Sequence, residues 1–481
     1  MLNSQKKMSN SFFALLSLPA TAMGFGLSVQ ISALTWILST KYGLSIDHIG
    51  FVWAAGPIAG IIAQPIVGAL SDKLWFMGGR RRPWILIGGT LTAIMLLALP
   101  NLEIVQKVFA SGSGASGLMA IAVVVALMLD LSINVSFNPT RSLIADCTPQ
   151  KERDKGYTWM QTVSGTFGVL AYLIAVIFGN ETLIYIGVVL ALLFTFIPMF
   201  FIAEPRYLEE ESSIKTVKSS NSFVEISKSL LPLYGFLLYG IYVIFAKLFG
   251  FEDKSIALQF NSFSLSWVEL SCVIIELLAI LAVIFNVFKQ KENNHEFQKI
   301  LLAHSFTWWG VQTMFIYAFF YITNNIGLDE TVGGRTNSLA FFILSLVSAV
   351  LPVLVLKKVA EKISAVRTHT ISIVIMCLGY AGIYFIGNTV VLYYALIAIA
   401  GIGWASVVSL PFAIISKRVE QSKMGLYMGI FNLSVVLPQL VASFKMGEIV
   451  NSAPDKSIIF AICAITLAIS GGLWFFVKKD K

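Results

Sequence analysis

Charge is what this chain has least of. Of its 481 residues, 12% are Asp, Glu, Lys or Arg and 57% are hydrophobic, whereas a soluble globular protein carries about 25% charged residues. That leaves too little polar surface to face water on every side, and the mean hydropathy of +0.80 agrees. Cysteine is scarce as well. Cys147, Cys272, Cys377 and Cys463 stand far apart, three of them in apolar segments and with no CxxC spacing, so neither a metal site nor a disulfide framework is supported. No HExxH, nucleophile elbow or phosphate-cradling glycine loop falls in an aqueous segment. Enzymatic chemistry has no residues to stand on, and no cofactor or metal is expected. The net charge of +8 raises nucleic acid as a partner. That is set aside because the basic residues sit in short runs between apolar stretches and not on one amphipathic surface. The opening MLNSQKKMSN leads into a long apolar stretch with no short h-region and small-residue cleavage site, and reads as a cytoplasmic start before a first span.

What the chain does have is a series of long apolar runs. A spanning helix needs about 20 mostly apolar residues. Such runs fall at 12–39, 48–70, 84–101, 116–138, 157–178, 182–203, 230–250, 266–288, 300–322, 337–356, 369–387, 390–415, 425–449 and 458–477. This predicts an all-α membrane protein with fourteen spans. With the N-terminus inside, the inner loops collect the basic residues, such as Arg80 to Arg82, Lys151 with Arg153 and Lys155, and Lys417 with Arg418. The outer loops hold singletons such as Lys41 and Lys107. This is the asymmetry of the positive-inside rule, and it predicts an even number of spans with both termini cytoplasmic.

The pair 230–250 and 266–288 interrupts an otherwise regular series of six helices, an inner loop and six more. A hairpin that enters and leaves on one side can be inserted there without inverting the second half. The expected organisation is a six-helix bundle at 1–203, a linker with an inserted hairpin at 204–298, and a second six-helix bundle at 299–481. Glu269 and Glu276 lie seven apart on the second hairpin helix and so share a face. That face is expected to meet protein or headgroups.

The halves read as distant copies. Pro139 at the end of one helix precedes a basic loop and Lys155-Gly156-Tyr157. Pro411, Lys417-Arg418 and Lys423-Met424-Gly425 repeat the arrangement. Related halves suit alternating access by rocking. Between spans two and three stands Gly68-Ala69-Leu70-Ser71-Asp72-Lys73, followed by Gly79-Arg80-Arg81-Arg82-Pro83. A carboxylate at a helix end beside an arginine cluster can lock neighbouring helix ends by ion pairs that break on rocking. Asp72, Arg80, Arg81 and Arg82, with Arg141 at the end of the fourth span, are therefore candidate gating residues.

That loop pattern resembles the motif of the major facilitator superfamily. The longer stretch from Trp53 through Pro57, Gln64-Pro65 and Gly68 to Arg80-Arg81-Arg82-Pro83 is similar to plant sucrose/proton symporters and their animal and bacterial relatives. So are Gly26 to Thr35, Leu129 to Asp146, and Gly401 to Ser406 through Leu437-Pro438-Gln439, the last most like the bacterial branch. The resemblance covers both halves and not 204–298. It implies a major facilitator fold and proton-coupled symport of sucrose, maltose or a related glycoside, in the wider group of glycoside-pentoside-hexuronide cation symporters. It also implies an inner (cytoplasmic) membrane setting. Asp130 matches the fourth-helix aspartate that takes the proton in the sucrose symporters, and Gln30 and Asn134 match polar positions on cavity-facing helices. The seventh helix departs from the plant pattern. There Phe306-Thr307-Trp308 resembles the bacterial branch, which leaves maltose or another glycoside open.

Apart from any resemblance, Asp130 follows nine apolar residues inside a spanning run. An ionised carboxylate held in hydrocarbon is costly, and proton uptake removes the charge. Asn134 and Asn138 continue its helix face at four-residue spacing. Trp308 and Trp404 are candidates to stack on a sugar ring, and Gln30, Gln312 and Asn432 to bond its hydroxyls. His304 lies one turn before Trp308 and is either a proton relay or a satisfied core histidine. The expected partners are a small-molecule sugar, protons and the lipid bilayer, with the chain as a monomer. Two rivals stay open: a sodium-coupled or drug-exporting carrier of the same fold, and a membrane solute sensor that does not transport.

Overall fold

The structure is a computed structural model. It describes residues 8–110, 112, 114–206, 223–251, 253, 255–260, 263–289, 294–419 and 424–479. Nearly all of them are helical. The first eight helices are α1 (Asn10–Thr40), α2 (Ile46–Trp53), α3 (Ala55–Lys73), α4 (Arg82–Ala98), α5 (Leu102–Phe109), α6 (Gly114–Cys147), α7 (Arg153–Phe178) and α8 (Asn180–Phe201). A middle region follows, with α9 (Phe223–Leu230), α10 (Tyr234–Phe249), a two-stranded antiparallel ribbon of β1 (Ile256–Phe260) and β2 (Phe263–Ser266), and α11 (Trp267–Lys289). The last seven helices are α12 (Asn294–Asn324), α13 (Glu330–Leu351), α14 (Lys357–Ile363), α15 (Ala365–Ile386), α16 (Val390–Ser416), α17 (Met424–Ser452) and α18 (Ile458–Phe475).

Among the described residues, twelve helices are long and apolar enough to cross a membrane. The fourteen expected spans go beyond that number by two. One is the α2–α3 pair, whose apolar helix runs Ile46–Ile61 among the described residues, shorter than a span. The other, α12, carries His304, Thr307, Gln312 and Thr313 among its apolar residues and is buried along most of its length. A helix surrounded by protein does not need a uniformly apolar surface.

The chain forms two compact units. Unit 1 comprises Met1–Leu44, Ala55–Val217 and Glu330–Phe342, and unit 2 comprises Ser45–Ala54, Lys218–Asp329 and Ile343–Lys481. Where the sequence suggests a linker of its own at 204–298, the inserted hairpin packs as part of unit 2. Two short segments are grouped apart from their sequence neighbours: α2 belongs with unit 2 and the start of α13 with unit 1.

In unit 1, α4 and α6 meet backbone to backbone. A Cβ on Gly88 would lie 2.2 Å from Ser136 Oγ and 2.6 Å from the Ser132 carbonyl, and Thr92 and Ser132 share a hydrogen bond of 2.9 Å. Phe12, Leu16, Ile85, Leu143, Ile144 and Met199 build an apolar cluster from α1, α4, α6 and α8. Small residues permit such approach where lipid supplies no hydrophobic drive for helix association.

In unit 2, α12 lies against α17 and α18. Gly50 lets α2 close on α17, because a Cβ there would sit 2.2 Å from the Ser443 carbonyl. The hairpin α10–α11 docks on α17 and α12. Gly240 faces Leu437 and Leu440, and Phe236 packs edge-on against Trp309 at 5.8 Å. A capping box starts α11: Glu269 N–H donates to Ser266 Oγ at 3.2 Å, and Ser266 N–H donates to Glu269 Oε2 at 2.9 Å. This is the reciprocal pairing expected of Ser and Glu three residues apart. Lys445 on α17 bonds Glu269 at 3.0 Å and Glu448 at 2.9 Å. The face shared by Glu269 and Glu276 therefore meets protein.

Candidate functional site

Unit 1 holds the acid. Asp130 lies on α6, is 5% exposed, and accepts a hydrogen bond from Gln30 Nε2 of α1 at 2.9 Å. One turn on, Asn134 Nδ2 donates to the Asp130 carbonyl at 2.8 Å, which ties that side chain to its own helix. Gly56, just past the break between α2 and α3, completes the enclosure. A Cβ there would come within 3.4 Å of Asp130 Oδ1 and 3.5 Å of Oδ2. The carboxyl thus faces protein on three helices. Gln30 is its side-chain donor, and a backbone without a side chain lies against it. A charge in this position is expensive, and a proton delivered to it removes the expense. The sequence reading singles out Asp130, Gln30 and Asn134 and does not single out Gly56.

At one end of unit 1 a network gathers around the arginine loop. Arg81 donates from Nε to Asp146 Oδ2 at 2.9 Å and from a terminal nitrogen to Ser71 Oγ at 2.9 Å. The backbone N–H groups of Arg80, Arg81 and Arg82 all donate to the Glu204 carboxylate, at 2.7, 2.8 and 2.6 Å. One anion thus satisfies the free donors at the start of α4 and faces the positive end of its dipole. Gly79 makes room for it, since a Cβ there would lie 2.4 Å from Glu204 Oε1. Of the expected gating residues, Arg80, Arg81 and Arg82 are in this network. Arg141 sits on the α6 turn before Asp146 with its guanidinium over the Phe137 ring at 4.3 Å. The side chain of Asp72 lies outside the described residues. Sequence reading missed Glu204, whose partners are more than a hundred positions earlier, and did not single out Asp146 as the partner of Arg81.

Unit 2 holds the aromatic residues. Trp308 on α12 and Trp404 on α16 meet edge to face at 5.9 Å and 81°, and Phe315 of α12 also packs edge to face on Trp404, at 5.3 Å. Both tryptophans are half-buried. Trp308 is held by His304, whose Nε2 accepts the indole N–H at 2.9 Å, and the imidazole stacks on Phe431 at 4.6 Å. That bond fixes His304 Nε2 as unprotonated and makes the ring a positioning group for Trp308. Gln312 accepts from Gln439 Nε2 at 3.1 Å, joining α12 to α17. Asn432 is half-buried on α17, next to Phe431. In the same unit, Glu296 collects Lys299 at 2.6 Å, Arg418 at 3.3 Å and the Lys478 N–H at 2.8 Å.

Among the described residues, no group of three or more His, Cys, Asp and Glu side chains is arranged to hold a metal ion. The groups on offer are a buried carboxyl, hydrogen-bonding amides, aromatic rings and ion pairs.

The sequence model of the Major Facilitator Superfamily matches residues 16–443 and 300–481. The chain is 26% identical over 470 residues to the sucrose transport protein SUC4 of Arabidopsis thaliana, covering 92% of this chain and 85% of that protein. It is 27% identical over 249 residues to the general alpha-glucoside permease of Schizosaccharomyces pombe, covering 44% of this chain and 43% of the permease. Among solved structures, the inward-open conformation of the xylose transporter XylE from E. coli superimposes with a TM-score of 0.61 at 15% identity, over 98% of this chain and 97% of that one.

Proposed function

Because the chain belongs to the Major Facilitator Superfamily, we propose that it takes up a disaccharide, sucrose or maltose, or a related glycoside, driven by protons and worked by alternating access. The observation that carries this reading is the enclosed Asp130, bonded to Gln30 at 2.9 Å and walled by Gly56. A buried acid with so small a hydrogen-bonded shell has a clear use as a group that changes charge. Loading a proton removes the charge before the protein reorients, and releasing it on the other side resets the cycle. Gln30 follows the carboxyl through both states, since its amide is a donor to the anion and an acceptor for the acid.

The sugar reading rests on unit 2 and on the relatives whose names are those of a sucrose transport protein and an alpha-glucoside permease. Trp308 and Trp404 offer ring faces to the C–H face of a pyranose, while Gln312 and Asn432 offer amides to its hydroxyls. Arg80, Arg81 and Arg82 serve the inner gate through Asp146 and Glu204, with Asp72 and Arg141 as further members. We read the α2–α3 pair and α12 as two spans beyond the twelve, which makes fourteen with both termini cytoplasmic. The chain works as a monomer in the cytoplasmic membrane.

The test is flux in proteoliposomes with radiolabelled mono- and disaccharides, driven in turn by a pH jump and a sodium jump. The proposal expects accumulation of a glucoside disaccharide on the pH jump alone. Accumulation on the sodium jump overturns the coupling ion. Accumulation of a non-sugar solute overturns the substrate class, and binding without flux identifies a sensor.

A further inference from the structure

The inserted hairpin encloses a cavity that the transport reading does not use. It lies wholly within unit 2, where α10 and α11 meet α12 and α17, and has a volume of about 310 Å³. That is the lower end of the range for small-molecule sites, about 300–1,000 Å³. Its walls are mostly apolar; Tyr239 and the paired Glu269 and Lys445 also line it, and two further lining residues, Glu276 and Trp309, carry polar atoms that are unsatisfied among the described residues. Glu276 on α11 is 8% exposed. Its Oε2 accepts the Gly235 N–H at 3.0 Å, while its Oε1 is buried with no hydrogen-bond partner among the described residues. The Trp309 indole N–H is likewise buried without an acceptor among them. Both side chains line the cavity and flank the same short stretch of α10: Glu276 bonds Gly235, and Trp309 packs on Phe236 at 5.8 Å.

Buried polar atoms without partners are uncommon and costly. Here an acceptor and a donor are unmatched on the wall of one dry space. A water molecule would pair with Glu276 Oε1 but leave most of the apolar volume empty. A hydroxyl on a hydrocarbon body donates to Glu276 Oε1 while the body fills that volume. Val273 and Leu277 border the cavity and are themselves exposed, which leaves a way in on that face.

We propose that this cavity is a binding site for a membrane-soluble alcohol, a hydrocarbon chain or ring system bearing one hydroxyl, and that the inserted hairpin exists in part to form it. The proposal does not depend on the identity of the transported solute.

The experiment uses the full chain in phospholipid nanodiscs with a diazirine-bearing analogue of 1-decanol, followed by peptide mapping. Labelling is expected on α11 around Glu276 and on α12 around Trp309. Excess 1-decanol is expected to compete roughly tenfold better than n-decane, the weight of one satisfied hydrogen bond in a dry site. Glu276→Leu is expected to abolish that preference, and Ile280→Trp, which fills the space, to abolish the labelling. Leu277→Phe serves as a second filling variant should Ile280→Trp fail to fold. Incidental labelling of Leu278 and Leu281, which face outward, reports ordinary partitioning in every sample. Equal competition by 1-decanol and n-decane, or label confined to the outward-facing residues, overturns the proposal.

Discussion

Removal of Lys445 gives a severe test of how the hairpin is held. Its ammonium reaches Glu269 at 3.0 Å and Glu448 at 2.9 Å, with side-chain exposures of 9% for Lys445, 13% for Glu269 and 54% for Glu448. The two contacts are not equal. Glu448 is open to solvent and is worth at most about 1 kcal/mol. Glu269 is enclosed, and taking away one partner of an enclosed pair costs about 3–5 kcal/mol, because the other charge is left unpaired. Glu269 keeps one partner after the loss, the Ser266 N–H of the capping box at 2.9 Å, so the low end of that range applies. We expect Lys445→Met to destabilise the chain by about 3 kcal/mol, a factor of roughly 150 in the folding equilibrium. Glu269→Gln keeps an acceptor for Ser266 but strands the lysine. The double variant removes both charges and recovers about 2 kcal/mol of the summed loss, since no enclosed charge is then left unpaired. Unfolding by SDS titration in mixed micelles, read by tryptophan fluorescence, measures all four corners of the cycle. Strictly additive losses, or a Lys445→Met loss below about 0.5 kcal/mol, refute the view that this pair anchors α11 to α17.

Three further outcomes follow from single contacts. Glu204→Ala strips the anion from the start of α4 and should cost about 2 kcal/mol, as a strong N-cap does; in the same titration Gly79→Ala should follow it, its Cβ colliding with Glu204 Oε1 at 2.4 Å. Asp455, in the turn between α17 and α18, is held below the usual carboxylate range by the Asn325 side chain and then the Ser457 N–H. Its stabilising share is complete above the unfolded-state pKa and is lost as pH falls through the folded-state value. Asn325→Leu should therefore lower Tm at pH 6 more than at pH 3, and an equal loss at both would remove the assignment. Gly56→Val should displace the Asp130 carboxyl and abolish sugar accumulation while the purified protein keeps its Tm within a few degrees; normal uptake would show that the close approach is immaterial.

Much of this architecture was legible in the sequence because apolar runs and basic loops report directly on helices. The inserted pair was visible as an interruption of a regular series, and Asp130 as a carboxylate in hydrocarbon. Less legible was anything that depends on which helices meet. Glu204 looks like an ordinary loop acid until its three backbone donors are seen, and Asp146 looks like one member of a repeat until Arg81 reaches it. Lys445 did carry a signal, an ammonium inside an apolar run, and with Glu269 and Glu276 on another span it could have been paired by charge alone. The polar face of α12 weakens its hydropathy for the same reason that it holds His304, Trp308 and Gln312: protein surrounds it.

The central claim is that Asp130 carries the coupled proton, and one substitution tests it. Asp130→Asn keeps the shape and a partner for Gln30 but cannot change charge. In proteoliposomes with an imposed pH gradient, the account predicts no concentrative sugar uptake by this variant, while sugar-for-sugar exchange, which needs no net proton movement, continues. Concentrative uptake at the level of the unaltered protein would contradict it.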